Sequence, residues 1–493
     1  MISRRAFLKL AGVAALMPWG CARWHAESAG VLLNDVHSGL NPTSVHEVVV
    51  ARSVQDIQRV VERAMREERG VSVAGGRHAM GAQQFGTDTL HVDTRSFNRV
   101  LNFDSGSGLV EVEAGMQWPE LIQASLTMQA GATKQWGIVQ KQTGADRLSM
   151  GGCLSANIHG RGLRLKPFIG DIESFTLVSA DGQVVTCSRS TNSDLFKLAI
   201  GGYGLFGVVS SVTLRLMQRQ KLQRVVELVQ IDDVMQRFNQ RIAEGFLYGD
   251  CQFALDPVSE DFLRRGIFSC YKPVDPTTPV PARQREIAEE QWLRLLYLAH
   301  ADKTIAFDVY SNEYLTTNGQ IYWSDTHQTS YYPDGYHQSL DKKMRAGTPG
   351  SEMISELYVP RQELASFFED MREDFRKHHV DVIYGTIRLI ERDDESFLAW
   401  AKEPWACTVL NLHVPHTPDG IERAAAAFRR LIDMARKRGG SYFLTYHKWA
   451  TRAQIEACYP QFSEFLRLKR RYDPQERFQS DWYRHYRRLF ASL

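Results

Sequence analysis

Three glycine-bearing clusters, all in the first half of a 493-residue chain, constrain its fold more than any other feature. They fall at residues 74–81, 150–162 and 201–207, with Gly75-Gly76-Arg77-His78, Gly151-Gly152 and Gly201-Gly202 at their hearts. Glycines in loops let backbone N–H groups come close to a phosphate and supply positive φ where a turn needs it. None of the clusters is a GxGxxG that follows a strand and precedes an acid about twenty residues on, so a nicotinamide Rossmann site is not supported. None is a GxxxxGK[ST] loop. One such cluster alone reads as a tight turn, but three in order ask for a shared explanation.

At this length two or three domains are expected. The charges nearly cancel, 59 basic against 57 acidic side chains. There is no global attraction to nucleic acid, and no such partner is expected. A basic stretch at residues 467–488 interleaves with Leu466, Leu468 and Tyr472 at helical spacing and reads as a solvated helix face. The seven cysteines are scattered, without CxxC or metal-ligand spacing. That predicts buried small hydrophobes rather than a disulfide framework, and no metal site.

Residues 45–50 read as a strand, and Ser53 caps a helix whose apolar stripe is Ile57, Val60, Val61 and Ala64. Gly70 ends it, and a strand at 71–73 runs straight into Gly75. Strands at 90–93 and 109–113, a helix at 118–128, a hairpin turned by Asp181-Gly182, a short helix at 195–200 and a strand at 208–216 complete this half. Composition shifts at residues 218–221, and residues 273–281 form a Pro-rich surface connection. From about 220 to 445 strands alternate with amphipathic helices, one at 361–377 with Leu364, Phe367, Phe368, Met371 and Phe375 as its stripe, another at 422–438. This predicts an α+β domain with an antiparallel sheet, followed by a mostly helical tail.

On these residues the stretch 41–216 resembles the FAD domain of the vanillyl-alcohol oxidase / p-cresol methylhydroxylase superfamily, in the branch of alditol oxidase, the sugar-lactone oxidases and decaprenylphosphoryl-ribose oxidase. Gly75-Gly76-Arg77-His78 stands where that family has its first pyrophosphate loop. Residues 149–162 are similar to its second flavin loop, 204–209 to the strand entry on the adenosine side, and 472–478 to a closing Asp-Pro-x-x-x-Phe signature. The resemblance implies an α+β fold: a PCMH-type two-subdomain FAD-binding domain over 31–218, a substrate domain over 219–445, and a segment over 446–493 returning to the first. It implies FAD contacts from Ala74, Gly75, Gly76, Arg77, His78, Ala79 and Met80 in the first loop. The second loop would add Gly144, Ser149, Gly152, Ala156, Asn157, Ile158 and His159, and the later strand Val208. Relatives with a histidine at the place of His78 bond it covalently to the flavin 8α-methyl, so the resemblance implies a histidyl-FAD. Decaprenylphosphoryl-ribose oxidase lacks that histidine and holds FAD non-covalently.

Oxidising an alcohol with flavin needs a group that takes the hydroxyl proton as hydride leaves for flavin N5, a positive charge near the N1–C2 edge, and polar groups that orient the substrate. Ile387-Arg388-Leu389-Ile390, Leu412-His413-Val414 and Tyr446-His447-Lys448-Trp449 look like strands of alditol oxidase. By that resemblance Arg388 and His413 bind substrate and handle protons, and Lys448 serves the N1 edge. The chain departs from the pattern at Thr386, where alditol oxidase has an acid, and in the register around Trp449. The other readings are a salt-bridged arginine and a core histidine. The implied reaction is oxidation of a CH–OH group of a sugar, sugar lactone or polyol, with O2, a quinone or a cytochrome as electron acceptor. A dehydrogenase using a quinone or cytochrome and a flavin relay without turnover are the alternatives.

The N-terminus reads Ser3-Arg4-Arg5-Ala6-Phe7-Leu8-Lys9 and then an apolar run over 10–19, about half of what a membrane-spanning helix needs. It resembles a twin-arginine signal. That implies export of the folded, cofactor-loaded chain through the twin-arginine translocase to a periplasmic or other extracytoplasmic site. Residues 1–29 are read as the signal peptide, with Cys21 a candidate lipid-attachment cysteine and cleavage near Ala26 or Ala29 the alternative. Replacing Arg4 and Arg5 by lysine is expected to hold the chain in the cytoplasm on cell fractionation; continued export would mean another route.

Overall fold

The computed structural model describes residues 30–282, 284, 287–328 and 335–491; the N-terminal signal stretch lies outside them. Ser53 caps the helix Val54–Arg66 by accepting from the Asp56 N–H, and the helix buries Ile57, Val60, Val61 and Ala64. Its flanking strands, Glu47–Val50 and Val71–Ala74, both pair in parallel with Leu90–Asp93. Every residue of that central strand is buried, as parallel strands require. The helix's stripe packs into one cluster with Val92, Val178 and Val208, which ties this small sheet to the next.

That next sheet has five antiparallel strands in the order Val184–Ser188, Ile172–Val178, Val208–Arg215, Leu109–Glu113, Val100–Asp104. Its hairpin closes over Asp181-Gly182, with Val184 opposite Val178. The two sheets make the mixed α+β first half.

The second half is built on eight antiparallel strands. Its centre runs Arg265–Pro273, Tyr248–Phe253, Val382–Ile390, Trp405–Pro415, Gly350–Pro360. Period-2 alternation gives the sheet two unlike faces. Cys251, Phe253, Ile387, Leu389 and Leu410 point to one, where helices Leu364–His378 and Pro418–Lys437 cover them. Phe253 meets Phe368 edge-on at 5.0 Å there. Asp250, Gln252, Thr386, Arg388 and Glu356 point to the other face, toward the first half, and all are buried.

The helical tail comes back to the first sheet. The Val71 N–H donates to the Arg477 carbonyl at 2.7 Å and the Gln479 N–H to the Val71 carbonyl at 2.8 Å. Asp473 organises this return: it accepts from the N–H groups of Arg477 and Phe478 and pairs with Lys469, both side chains being buried. The basic stretch is therefore only partly the solvated face expected of it. Arg467, Arg470 and Arg471 are exposed, but Lys469 is an internal cation. Removing either partner of that pair would leave a buried charge, at a cost of about 3–5 kcal/mol. The six described cysteines are all buried and unpaired. Among the described residues no helix is long and apolar enough to cross a membrane.

Candidate active site

Strand Val71–Ala74 ends on Gly75 and Gly76, and these bring the chain hard against the start of helix Met150–Ala156. A Cβ on Gly75 would sit 2.0 Å from Ser149 Oγ, and one on Gly76 2.2 Å from the Arg147 carbonyl oxygen. No other residue type tolerates that approach. Ser149 caps the helix by accepting from the Gly152 N–H. Arg77 follows at φ 59°, a left-handed conformation that strains a residue with a Cβ. Its guanidinium reaches Asp93 at 3.2 Å, yet its Nε is buried without a hydrogen-bond partner.

Between the loops opens a cleft of about 1250 Å³, mouth included. Ala74, Gly75, Gly76, Arg77, His78, Ala79 and Met80 line it, with Gly144, Ser149, Gly152, Ala156 and Ile158. The third glycine cluster adds Tyr203, Gly204 and Gly207, and the second half contributes Ile354, Phe443, Thr445 and Tyr446. The set fits FAD: glycine backbone where phosphates must approach, an unsatisfied guanidinium N–H to meet their charge, and apolar walls for the ring system.

Three residues assigned to FAD do other work. Asn157 ends the helix at φ 49° and is spent inside the protein, donating to Asp393 at 2.9 Å and accepting from the Ile169 N–H at 3.0 Å. Val208 is a core residue between Gly207 and Val209, which do line the cleft. His159 turns away from the cleft to meet Glu356 at 2.7 Å.

Arg388, His413 and Lys448 do not converge and none lines the cleft. Arg388 opposes Cys407 across the strands. His413 is six residues further along that strand, roughly 20 Å away by strand rise. There His413 packs edge-on against His300 at 5.1 Å, beside Glu352, whose carboxylate accepts from His300 and Tyr336. Lys448 leaves the loop after Tyr446, and the charges acting on it are Asp481 and Arg488 of the C-terminal helix Asp481–Leu489; burial lowers its pKa. Strand register separates the first two, and a two-residue offset in the loop turns the lysine away where Tyr446 faces the cleft.

On the side of the second half, the buried carboxylate of Glu356 bonds the cleft-lining Tyr446. Its Oε1 accepts from Tyr446 Oη at 2.6 Å, and its Oε2 lies 2.7 Å from His159 Nε2 and 3.0 Å from Tyr358 Oη. His159 Nδ1 also faces an oxygen, the Gly160 carbonyl at 3.0 Å, and only the imidazolium donates at both nitrogens. Burial opposes ionisation of Glu356, yet His159, Tyr446 and the nearby Arg388 hold its carboxyl down at about 2. Cys407 stands close enough to complete a three-ligand set with His159 and Glu356, all within 4.8 Å. Burial beside Glu356 pushes its thiol up, and the thiol donates to Glu356 Oε2 at 3.7 Å. The sequence reading gave Glu356 no role. Its strand, Gly350–Pro360, carries acids at 352 and 356 and serines at 351 and 355, a pattern that alone does not tell a buried acid from an exposed one.

With this geometry in view, similarity to known proteins becomes informative. Residues 45–188 match the family model of an FAD binding domain. The L-gulonolactone oxidase of Mus musculus is 31% identical over 163 residues, 33% of this chain and 35% of that protein. The decaprenylphosphoryl-beta-D-ribose oxidase of Mycolicibacterium smegmatis is 29% identical over 181 residues, 36% of this chain and 38% of that protein. The L-gulono-1,4-lactone dehydrogenase of Mycobacterium tuberculosis (strain ATCC 25618 / H37Rv) is 23% identical over 442 residues, covering 89% of this chain and 95% of its own length. The chain thus spans well under half the length of the first two relatives and nearly all of the third. Its first half carries an FAD-binding domain, and FAD is its cofactor. The class that the chain shares with these proteins is that of FAD-binding proteins.

A carboxyl held near 2 instead of the ordinary 4.5 adds stability that is complete above 4.5 and lost as pH falls through 2. Glu356→Gln is expected to flatten the fall of Tm in that window, with Glu352, also held near 2, supplying the remainder. An unchanged acid limb would show that Glu356 is not held ionised by its partners.

Proposed function

We propose that the chain uses FAD to oxidise a CH–OH group of a sugar, sugar lactone or polyol. The observation that carries this reading is Tyr446, which lines the FAD cleft and at the same time donates to Glu356 at 2.6 Å. The names of the relatives, lactone and ribose oxidoreductases, support the substrate class. Bound FAD supplies the two-electron acceptor.

The chain's own residues do the proton work. A substrate hydroxyl placed at Tyr446 Oη passes its proton to the phenol oxygen as the phenol proton moves to Glu356 Oε1. Burial beside Glu356 raises the Tyr446 pKa far above its usual value, so the phenol remains a neutral relay at physiological pH. His159 fixes the carboxylate's orientation from the other side. Phe443 and Ile354 keep the wall beside Tyr446 apolar and exclude water. Glycine-rich loops from the first half hold the cofactor, with Arg77 at its phosphates.

Anaerobic mixing of the yellow protein with L-gulono-1,4-lactone and a panel of sugars and polyols tests the reading. At least one is expected to bleach the flavin, and Tyr446→Phe to slow bleaching by about 10²-fold at unchanged flavin content. A yellow chain that no CH–OH compound bleaches would favour the electron-relay alternative.

His78 lines the cleft, and a histidyl-FAD belongs to the same proposal. Acid precipitation of the parent protein is expected to leave a yellow pellet, and of His78→Ala a yellow supernatant. Flavin retained in the variant's pellet would sink the covalent bond. Export by the twin-arginine route also belongs to this reading. The covalent bond would keep the cofactor from being lost outside the cell, where none is made.

A further inference from the structure

The polar face of the eight-stranded sheet is partly open beyond Tyr446, at the half-buried Arg224, Tyr314 and Tyr384, and this recess meets the proton relay only through Arg388. Three arginines meet there. Arg161 comes from the second glycine cluster and Arg388 from strand Val382–Ile390; both are buried. Arg224 comes from strand Lys221–Gln230, is half-buried and, among the described residues, donates its guanidinium N–H groups to Tyr271 and Thr317. Guanidinium groups stay charged at any physiological pH.

The negative charge facing them is small. Asp250 lies one step along from the Cys251–Ile387 pair, beside Arg388. Its Oδ1 is 3.8 Å from Arg161, too long for a hydrogen bond, and is itself without a partner. Arg388 Nε and Nη1 and Arg161 Nε are likewise buried and unpartnered. Among the described residues no carboxylate comes within 4.0 Å of Arg224 or Arg388. Glu356 acts on Arg388 but is already engaged by His159 and Tyr446. The Tyr271 ring lies 4.8 Å from Arg161 and 5.1 Å from Arg224, which steadies the cations without neutralising them. Tyr314 and Tyr384 keep part of their surface open beside them, and burial raises both phenols, so they are neutral donors. Buried cations with open donors and a deficit of carboxylate are the inverse image of an anion.

We propose that this recess binds an anionic group of the substrate, a carboxylate or a phosphate, and that the enzyme acts on acidic sugar derivatives rather than on neutral lactones or polyols. The inference rests on the CH–OH oxidation reading and narrows its substrate class. Glu356, which accepts from the cleft-lining Tyr446, shares the polar sheet face with Arg388, and Arg388 is near enough to Tyr446 to act on it electrostatically.

The test is calorimetric titration of the full, flavin-loaded chain with D-gluconate, D-glucose 6-phosphate and D-glucose. At least one of the two acids is expected to bind tenfold or more tighter than glucose, and which one does so tells carboxylate from phosphate. Arg388→Gln and, should that variant fail to fold, Arg224→Lys are expected to weaken the acid by tenfold or more and leave glucose unchanged. Asp250→Asn is expected to tighten the acid, because it removes the repelling carboxylate that faces both Arg161 and Arg388; a merely structural Asp250 would weaken all ligands alike. A yellow chain that binds glucose as tightly as both acids, or neither acid at all, overturns the anion site. A chain that takes up no flavin overturns the oxidoreductase reading beneath it.

Discussion

The Glu356 carboxylate is where the two halves of the molecule are joined. Burying an ionised carboxylate costs several kcal/mol unless its oxygens are furnished with donors. Here the donors come from three separate stretches of chain: His159 from the second glycine loop, Tyr446 from the loop after the last strand, and Tyr358 from Glu356's own strand. None can shift without exposing a buried charge, so the pairing sets the distance between the flavin loops and the eight-stranded sheet. Trp400 braces it, stacked on Tyr358 at 4.8 Å and 5.3 Å from the His159 ring. A constraint of this kind specifies one docking of two domains where apolar contacts alone would allow several.

The flavin side rests on a different constraint, close approach. At Gly75 and Gly76 the first loop touches Ser149 and the Arg147 carbonyl at distances that leave no space for a side chain. The cleft is the volume left where these backbones diverge again. Arg77, held at positive φ between its Asp93 contact and the cleft, is the strained residue at that point. Strain of this sort persists only where the surroundings over-determine it, and it marks the loop as built for a ligand.

The legible parts of the sequence were those with local physics. The capped helix Val54–Arg66, the strand running into Gly75, the Asp181-Gly182 hairpin and the stripe of helix Leu364–His378 follow from period and turn chemistry alone. That residues 74–80 line the cleft was legible only through the family resemblance, since a lone glycine cluster reads equally as a tight turn. The substrate side was not. The family resemblance paired Arg388 with His413, but strand register decides who meets: Arg388 opposes Cys407 on the neighbouring strand, six residues from His413. Glu356 and Asp250 were missed because a buried acid on a strand has the same local signature as an exposed one. Only the observation that both faces of this sheet are covered separates the two. Lys469 shows the same limit from the other side, a buried cation inside a stretch that reads as solvated.

The relay and the recess share Arg388, and that sharing has a chemical consequence. A carboxylate held near 2 is a weak base at neutral pH, so Glu356 as it stands accepts a proton reluctantly. Part of that hold is the positive potential of Arg388. An anion seated against Arg388 would offset this potential and raise the proton affinity of Glu356 just when a substrate hydroxyl lies at Tyr446. Under the proposed anion site, binding and base strength are therefore coupled through one guanidinium. An acidic substrate primes its own proton acceptor, whereas a neutral sugar of equal fit leaves Glu356 in its unreactive, fully paired state.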